Sequence, residues 1–402
     1  MKPTFDLAPT STLPRDGTAG ALAGRVWRPE LGGPSVVSIC EDGVFDITSF
    51  CPTTSALAAT TSPAAVVRGA AGERIGDLAA ILENTPAVMR DHTKPWLLAP
   101  IDLQVIKAAG VTFPVSMLER VIEEKARGNP ASAAAIRAEV KRLVGGDLTQ
   151  LKPGSPEALH LKEVLIKQDA WSQYLEVGIG PDAEIFTKAP VLSAVGSFMD
   201  GGLHPASTWN NPEPEVVLIV AADGRITGAT LGNDVNLRDI EGRSALLLSK
   251  AKDNNASCAI GPFLRFFDET FSLDDVRRMT VGLIVRGTDG FVLEGKSSIE
   301  NIARDPEDLV RQTIGATHQY PDGFALFLGT MFAPTGDREA SGRGFTHKDG
   351  DLVQILAPQL GSLFNKMQSS AACEPWTFGI SALMANLAAR GLLGGAQQSR
   401  PI

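Results

Sequence analysis

Three acidic residues, Glu213, Glu215 and Asp234, flank a predicted β-hairpin near the middle of the 402-residue chain. The run at residues 216–220 between them is apolar and rich in β-branched residues, which predicts a strand buried on both faces. Glu213 and Glu215 are two residues apart, so their side chains point to the same face of such a strand. Their chemistry depends on which residue faces them across the hairpin.

The predicted turn of the hairpin sets that pairing. Asp223-Gly224 is a strong signal for a two-residue type I′ turn, because this turn needs positive φ at both central positions. If Ala222 pairs with Arg225, the residue numbers of facing pairs sum to 447 and Glu213 lies opposite Asp234. Facing Cβ atoms in such a hairpin are roughly 4.5–5.5 Å apart, and diagonal ones about 7–8 Å. The register therefore places three carboxylates on one patch, and a bulge in either strand would change it.

Three carboxylates on one patch repel one another unless a positive charge joins them. No Lys or Arg shares the predicted patch, and a hard divalent cation such as Mg²⁺ would remove the repulsion by taking oxygen ligands. We therefore predict a metal site. The alternative is a solvated acidic strand end that binds nothing.

Two basic residues after the hairpin could supply positive charge to a substrate. Arg238 lies four residues past Asp234, so a helical turn there would bring its guanidinium beside the metal, and Lys252 follows. An ordinary ion pair with Asp239 or Glu241 is the alternative for Arg238. An exposed helix end is the alternative for Lys252.

The overall charge and the cysteines constrain the partners and the compartment. The net charge of −9 at pH 7 argues against nucleic acid and against an anionic membrane as partners. The four cysteines are scattered without Cys-x-x-Cys spacing. The first 14 residues have no apolar signal region, and no run is long enough to span a membrane. We therefore expect a cytoplasmic protein whose partner is a small molecule.

Length and pattern predict two domains. Residues 1–96 contain short strands and a helical stretch at 75–81, which predicts a small β-rich N-terminal domain. Residues 97–402 begin with helices and continue mainly as strands separated by turn signals, which predicts an α+β domain with a rolled sheet and a helical insertion. The insertion helices are expected at residues 115–125, at 132–144 and from Ser155 onward, and a final helix at 381–393.

Several motifs, taken in their order, resemble the signature of the fumarylacetoacetate hydrolase superfamily over roughly residues 97–365. They are the strand at 184–190, Glu213-x-Glu215, Gly232-Asn233-Asp234-x-x-x-Arg238-Asp239, Lys252, Gly261-Pro262, Gly329-Thr330 and the strand entry at 348–351. The resemblance implies a rolled β catalytic domain and a homodimer or a dimer-based tetramer.

The same resemblance implies roles for individual residues. Glu213, Glu215 and Asp234 would bind Mg²⁺, Mn²⁺ or Ca²⁺. Contacts to the substrate would come from three further side chains, Arg238, Thr330 and Asn255. Glu241 stands where several relatives have Gln, so no role is assigned to it.

The predicted lid departs from the pattern of the hydrolases. Those enzymes carry Gly-x-Asn-Tyr-x-x-His-x-x-Glu, whose His and Glu activate water for carbon–carbon cleavage. The matching stretch at residues 110–119 keeps Glu119 but has Ser116 at the histidine position, and none of the five histidines fits that spacing. Since a serine without an activating partner is not a general base near neutral pH, hydrolytic cleavage is the weaker hypothesis.

Longer stretches resemble the branch of this superfamily that dehydrates 2-keto-3-deoxy-D-pentonates (D-xylonate or D-arabinonate) to 2,5-dioxopentanoate, the α-ketoglutarate semialdehyde. They lie at residues 109–113, 209–217, 249–256, 318–323 and 375–379. In this chemistry a metal chelated by the C1 carboxylate and C2 ketone stabilises an enolate. A base removes a C3 proton and the C4 hydroxyl leaves as water. The candidates for base and acid are Glu119, Lys188 and Lys252, and Ser116 would hold a hydroxyl or a water.

Two other functions stay open from the sequence. A hydrolase of the acylpyruvate or fumarylacetoacetate type, or an oxaloacetate decarboxylase, would share the metal site. A non-catalytic sugar-acid binding protein would need neither Glu119 nor two lysines beside the carboxylates.

Overall fold

The computed structural model describes residues 3–127, 129, 151–167, 171–332, 334, 336–338 and 344–393. Strands form its frame. They are β1 (Ala21–Arg28), β2 (Gly33–Cys40), β3 (Gly43–Asp46), β4 (Glu73–Gly76), β5 (Trp96–Leu98), β6 (Val105–Gly110), β7 (Glu184–Ala189), β8 (Met199–Leu203), β9 (Asn210–Asn211), β10 (Pro214–Val220), β11 (Ile226–Asp234), β12 (Asn236–Leu237), β13 (Cys258–Phe266), β14 (Thr280–Arg286), β15 (Val292–Ser298), β16 (Phe324–Phe327), β17 (Leu352–Ala357) and β18 (Gly361–Ser369).

Helices connect and cover these strands. They are α1 (Pro9–Thr12), α2 (Thr54–Ala59), α3 (Pro63–Gly69), α4 (Leu78–Glu83), α5 (Pro114–Ala126), α6 (Pro156–Lys167), α7 (Gln173–Ile179), α8 (Arg238–Glu241), α9 (Leu248–Lys252), α10 (Leu273–Arg277), α11 (Pro306–Thr313) and α12 (Ile380–Ala389). Within the ranges given above, none of the helices combines the length and the apolarity that a membrane crossing needs.

The strands build two large sheets. Eleven strands form the first, in the order β4-β3-β2-β1-β13-β11-β10-β16-β6-β7 with β5 paired to β1, and five form the second, in the order β15-β14-β17-β18-β8. Named neighbours are antiparallel except β16 with β6 and β18 with β8. The predicted α+β fold, with large sheets and fewer helices, is confirmed.

Strand β10 is an interior strand of the larger sheet, between β11 and β16, and all seven of its residues are buried. Val216 and Leu218 belong to the core that β10 and β11 share with the second sheet. The alternate residues Val217 and Ile219 belong to a second core, which includes Leu57 of α2 and extends to α3. Because successive side chains of a strand point to opposite faces, the sequence 216–220 is apolar at every position, as predicted.

The hairpin between β10 and β11 differs from the prediction at its turn. The loop is one residue longer than expected, because Ala221 N–H donates to Arg225 O at 2.9 Å and Gly224, with φ +85°, donates back to Ala221 O. A bulge then lies between Ile219 and Val220 in the register. Beyond the bulge the predicted register holds, since Ile219 pairs with Gly228 and Pro214 with Asn233. The bulge compensates for the longer loop.

The N-terminal strands continue the sheet of the hairpin. Residues 21–23 of β1 pair with residues 264–266 of β13, and β13 pairs with β11. The expected boundary near residue 96 therefore separates two stretches that share one sheet. The division into domains at this residue stays a prediction.

The helical insertion covers one end of the larger sheet. Helices α5 and α6 confirm the helices predicted at 115–125 and from Ser155, whereas the one predicted at 132–144 lies outside the described residues. Helices α5, α6 and α7 pack through a small core that includes Met117, Leu165 and Leu175. The helix predicted at 75–81 is partly wrong, because Gly76 ends strand β4 and α4 begins only at Leu78.

Candidate metal and active site

The three predicted carboxylates converge at the open end of the hairpin. Glu213, Glu215 and Asp234 each present an oxygen atom, and these atoms all lie within 4.8 Å of one another. Glu213 O accepts a hydrogen bond from Asp234 N at 3.1 Å, so the two residues face each other as the register predicts. The three residues are 5%, 3% and 2% exposed. This burial excludes the alternative of a solvated acidic strand end.

Three cationic side chains surround the carboxylates, so the expectation that no Lys or Arg shares this patch is wrong, because these side chains come from β7, α5 and α9 rather than from the hairpin. Lys252 Nζ lies 2.5 Å from Glu213 Oε2 and 3.0 Å from Asp234 Oδ2. Lys188 Nζ lies 2.8 Å from Asp234 Oδ1, and Arg120 Nη2 lies 2.6 Å from Glu213 Oε1. Lys252 is 2% exposed, so it is not the exposed helix end that the sequence left open.

Glu215 is held differently from the other two carboxylates. Its Oε2 accepts a hydrogen bond from Gly329 N–H at 2.6 Å. Gly329 has φ +88°, and a Cβ at this position would lie 2.1 Å from Thr112 Oγ1, so only glycine fits here. Burial, followed by repulsion from Asp234 and Glu213, raises the pKa of Glu215 well above its ordinary value.

The charges of Asp234 and Lys252 are mutually stabilised. Burial alone would raise the pKa of Asp234, but Lys188 and Lys252 outweigh it and hold this pKa below its ordinary value. Burial alone would lower the pKa of Lys252, but Asp234 and Glu213 outweigh it and raise this pKa. In this arrangement Asp234 is ionised and Lys252 keeps its proton.

The donor set fits a hard divalent cation. The ligand atoms are carboxylate oxygens from two facing strands, which Mg²⁺, Mn²⁺ and Ca²⁺ prefer over nitrogen or sulfur. Burial and repulsion from Asp234 and Glu213 outweigh the attraction of Lys252 and raise the pKa of Glu215, so its negative charge is only partly offset. A cation between the three oxygens would compensate it. Glu213, Glu215 and Asp234 are therefore the residues that would hold a metal.

A cavity that is partly open to solvent lies beside these carboxylates. Helix α5 covers it, and Ser116, Glu119 and Arg120 reach it from one face of that helix because their spacing is three and four residues. The polar side chains that line the cavity are Ser116, Glu119, Arg120, Glu184, Asn211, Glu213, Glu215, Asp234, Asn236, Arg238, Glu241, Lys252 and Thr330.

Arg238 is fixed by contacts that the sequence did not predict. Its guanidinium lies 4.3 Å from the centroid of the Trp209 ring, and Nη1 donates to Pro334 O at 3.1 Å. Nη2 lies 3.9 Å from Glu119 Oε2. Arg238 thus connects the loop before β9 to the lid helix α5, and it presents a buried positive charge at the cavity.

Residues 212–368 match the model of the C-terminal fumarylacetoacetate hydrolase family. This part of the chain, 157 of its 402 residues, is similar to that family. It contains the whole carboxylate triad, Arg238, Lys252 and Thr330.

Curated relatives are similar over about half of this chain. The 2-dehydro-3-deoxy-D-arabinonate dehydratase of Saccharolobus solfataricus is 31% identical over 188 residues, which are 46% of this chain and 58% of that protein. The probable 2-keto-3-deoxyxylonate dehydratase of Haloferax volcanii is 26% identical over 194 residues, which are 48% of this chain and 63% of that protein. The match therefore spans less than two thirds of either relative.

A solved structure shares the fold over a longer stretch. It is a 2-keto-3-deoxy-D-arabinonate dehydratase complexed with magnesium and 2,5-dioxopentanoate. The TM-score is 0.60 at 19% identity, and the superposition covers 87% of this chain and 99% of that one. The predicted fumarylacetoacetate hydrolase-like fold is thereby confirmed.

Two residues predicted for the site do not line the cavity beside the carboxylates. Lys188 is fully buried behind Asp234, where its ammonium also donates to the carbonyl oxygens of Val235 and Lys252. The amide of Asn255 donates to the carbonyl oxygens of Ser370 and Glu374. The catalytic role of Lys188 and the substrate contact of Asn255 stay predictions. The contacts of Lys188 favour a role in positioning Asp234. Those of Asn255 favour a role in fixing the loop that contains Ser370 and Glu374.

Glu184 and Arg120 are cavity residues that the sequence did not single out. Glu184 opens strand β7, and burial followed by repulsion from Glu241 raises its pKa to about 7. Arg120 donates to Glu213 and also to Glu241 at 2.6 Å, which gives Glu241 a defined partner. Glu184 could have been noticed because it begins the Glu-x-Phe-x-Lys strand, and Arg120 because it follows Glu119 on the lid.

We expect Glu184→Gln to stabilise the metal-free protein at alkaline pH. The pKa of Glu184 rises from 4.5 to about 7 in the folded protein, so stability is lost as pH rises between these two values. Glutamine resembles the protonated form at every pH. The variant should match the wild type near pH 4.5 and gain up to about 3 kcal/mol above pH 7.

Urea unfolding in EDTA at several pH values measures this difference. Glu176→Gln on helix α7 is the control, because Glu176 does not line the cavity. Equal free energies of unfolding for Glu184→Gln and wild type at pH 5 and pH 8 would contradict the prediction.

Proposed function

We propose that this protein is a divalent-metal-dependent dehydratase that converts 2-keto-3-deoxy-D-pentonates, of the D-xylonate or D-arabinonate type, to 2,5-dioxopentanoate. The observation that carries the proposal is the buried triad Glu213, Glu215 and Asp234 beneath a lid that bears Ser116 and Glu119. The triad suits a 2-keto acid, and a lid without histidine suits elimination better than hydrolysis. The names of the curated relatives and of the solved structure support the same substrate class.

The keto-acid end of the substrate would lie at the triad. When bound there, Mg²⁺, or Mn²⁺ or Ca²⁺ in its place, supplies Lewis acidity that makes the protons at C3 more acidic. Arg238 presents its buried guanidinium to the substrate carboxylate, and Thr330 follows the Gly329 turn that orients Glu215. Lys188 fixes the position of Asp234 through their 2.8 Å contact.

Two carboxylates outside the triad would move the protons. Glu119 would take the C3 proton, and Glu184 would give a proton to the C4 hydroxyl, which leaves as water when the C4–O bond breaks. In the metal-free protein, burial followed by repulsion from Glu241 raises the pKa of Glu184 to about 7, which favours its protonated form as a proton donor. A proton then moves from C5 to C3, and the resulting enol becomes the C5 aldehyde. Glu241 is engaged by Arg120, so we assign it no proton transfer.

The reaction products decide between this proposal and its rivals. With 2-keto-3-deoxy-D-xylonate and Mg²⁺, we expect loss of the substrate and appearance of 2,5-dioxopentanoate, measured by NMR or by chromatography. Formation of pyruvate and glycolaldehyde would show carbon–carbon cleavage and refute the dehydratase. Binding of the sugar acid without any turnover would favour the non-catalytic binding protein.

We also propose that the protein acts in the cytoplasm as a homodimer or a dimer-based tetramer. Four cysteines without disulfide bonds are typical of a reducing compartment. Exposed apolar side chains at Trp376, Ile380 and Met384, on and before helix α12, are compatible with a contact between subunits. Light scattering that shows only monomers would contradict the assembly.

A further inference from the structure

Two asparagines extend the strand pairing of the hairpin beyond Glu213 and Asp234. Asn211 of β9 pairs with Asn236 of β12, one ladder step beyond the pair formed by Glu213 and Asp234. Asn211 is two residues from Glu213, and Asn236 is two residues from Asp234. Because residues two apart in an extended chain share a face, the amides and the carboxylates line the same cavity.

The amide groups of this pair have unused hydrogen-bonding atoms. Asn236 is fully buried, yet neither its Oδ1 nor its Nδ2 has a partner within the described part of the chain. Asn211 is 3% exposed, and its Nδ2 donates to Pro212 O at 2.9 Å while its Oδ1 has no partner there. Buried polar groups in folded proteins are nearly always paired, because an unpaired one loses its hydration without compensation. Three such atoms on one cavity wall indicate a missing ligand.

The chemistry of the pair identifies the kind of group it would bind. Two neutral amides offer acceptor and donor atoms but no charge, so they match a hydroxyl, which both donates and accepts. A carboxylate or an ammonium would find better partners among the nearby charged side chains. Residues two apart along a strand are separated by roughly 6.6 Å, which places the pair at the far end of a five-carbon acid held by its keto end at the triad.

We propose that Asn211 and Asn236 form a distal subsite that binds the C5 hydroxyl of a 2-keto sugar acid. The choice of this substrate class rests on the proposed function. The subsite selects hydroxylated 2-keto acids over unsubstituted ones of the same length. It also distinguishes substrate from product, since the C5 aldehyde of 2,5-dioxopentanoate can accept a hydrogen bond but cannot donate one.

Two inert analogues test the subsite by calorimetry in the presence of Mg²⁺. 5-Hydroxy-2-oxopentanoate keeps the C5 hydroxyl but lacks the C4 leaving group, and 2-oxopentanoate lacks both. We expect the wild type to bind the hydroxylated acid about tenfold more tightly. Asn236→Ala should bring this ratio close to one and leave the Kd of 2-oxopentanoate within about twofold. Asn236→Ser provides a second variant, with a smaller change in polarity, if the alanine variant does not fold.

Asn210→Ala is the matched control, because Asn210 is as buried as Asn211 and lies beside it on strand β9. The side-chain amide of Asn210 donates to Ser207 Oγ and accepts from the backbone N–H of His347. The variant should therefore lose stability and keep the tenfold ratio. A wild-type ratio of one, or an unchanged ratio in Asn236→Ala, would overturn the subsite. Selective binding without dehydration of 2-keto-3-deoxy-D-xylonate would refute the proposed reaction alone.

Discussion

Glu215→Gln is expected to weaken Mg²⁺ binding by about 100-fold or more and to abolish metal-dependent turnover, without destabilising the metal-free protein. The variant removes one of three charged oxygen ligands, and hard cations depend strongly on ligand charge. In the metal-free protein, burial and repulsion from Asp234 and Glu213 raise the pKa of Glu215, whereas Lys188 and Lys252 hold the pKa of Asp234 below its ordinary value. A carboxyl group whose pKa is higher in the folded than in the unfolded protein lowers the free energy of unfolding at pH values above the unfolded-state pKa. Glutamine should therefore leave the stability in EDTA unchanged or increase it.

Asp234→Asn provides the contrast, because it removes a ligand with the same loss of charge. Asp234 contacts both Lys188 and Lys252, and removing one partner of a buried ion pair typically costs about 3–5 kcal/mol. We expect both variants to lose Mg²⁺ affinity, but only Asp234→Asn to lose stability in EDTA. Calorimetric titration with Mg²⁺ and thermal unfolding measure the two effects. Wild-type affinity in Glu215→Gln would refute its assignment as a ligand.

The carboxylate triad could be predicted from the sequence because it depends on local patterning. The alternation of residues along β10 and the pairing with β11 place Glu213 opposite Asp234, although the predicted turn is one residue too short. The prediction survived this error because the bulge between Ile219 and Val220 restores the register. The sequence contains no clear signal for that bulge. The same register, extended by two residues, also pairs Asn211 with Asn236.

Strand β13 could not be predicted from the sequence, because Pro262 argues against a strand there. Pro262 lacks a backbone N–H and seldom occurs inside a sheet, yet it lies near the middle of β13. The ladder between β11 and β13 accommodates it with a register shift between Ala229 and Leu231. This strand joins the N-terminal strands to the hairpin, so the sheet that crosses the predicted domain boundary could not be predicted either.

The remaining cavity residues depend on contacts between distant parts of the chain. Arg120 reaches Glu213 and Glu241 only because helix α5 packs over the hairpin. The raised pKa of Glu184 results from its burial in the folded protein and from the charge of Glu241. Sequence spacing places Glu119 on the lid, but it does not show which second carboxylate lies beneath it.

Glu119→Gln and Glu184→Gln should each lower kcat by about 10²–10⁴-fold, the range typical of a lost general acid or base. Both variants keep the triad, so Mg²⁺ affinity measured by calorimetry should stay within about threefold of the wild type. The pH profiles should differ between them. If Glu184 donates its proton, wild-type activity falls as pH rises through the pKa of Glu184, which a bound cation would hold below its metal-free value of about 7, and this decline should vanish in Glu184→Gln and persist in Glu119→Gln. A kcat within tenfold of the wild type would remove the corresponding carboxylate from the mechanism, and loss of Mg²⁺ binding would mean that the variant disturbs the triad instead.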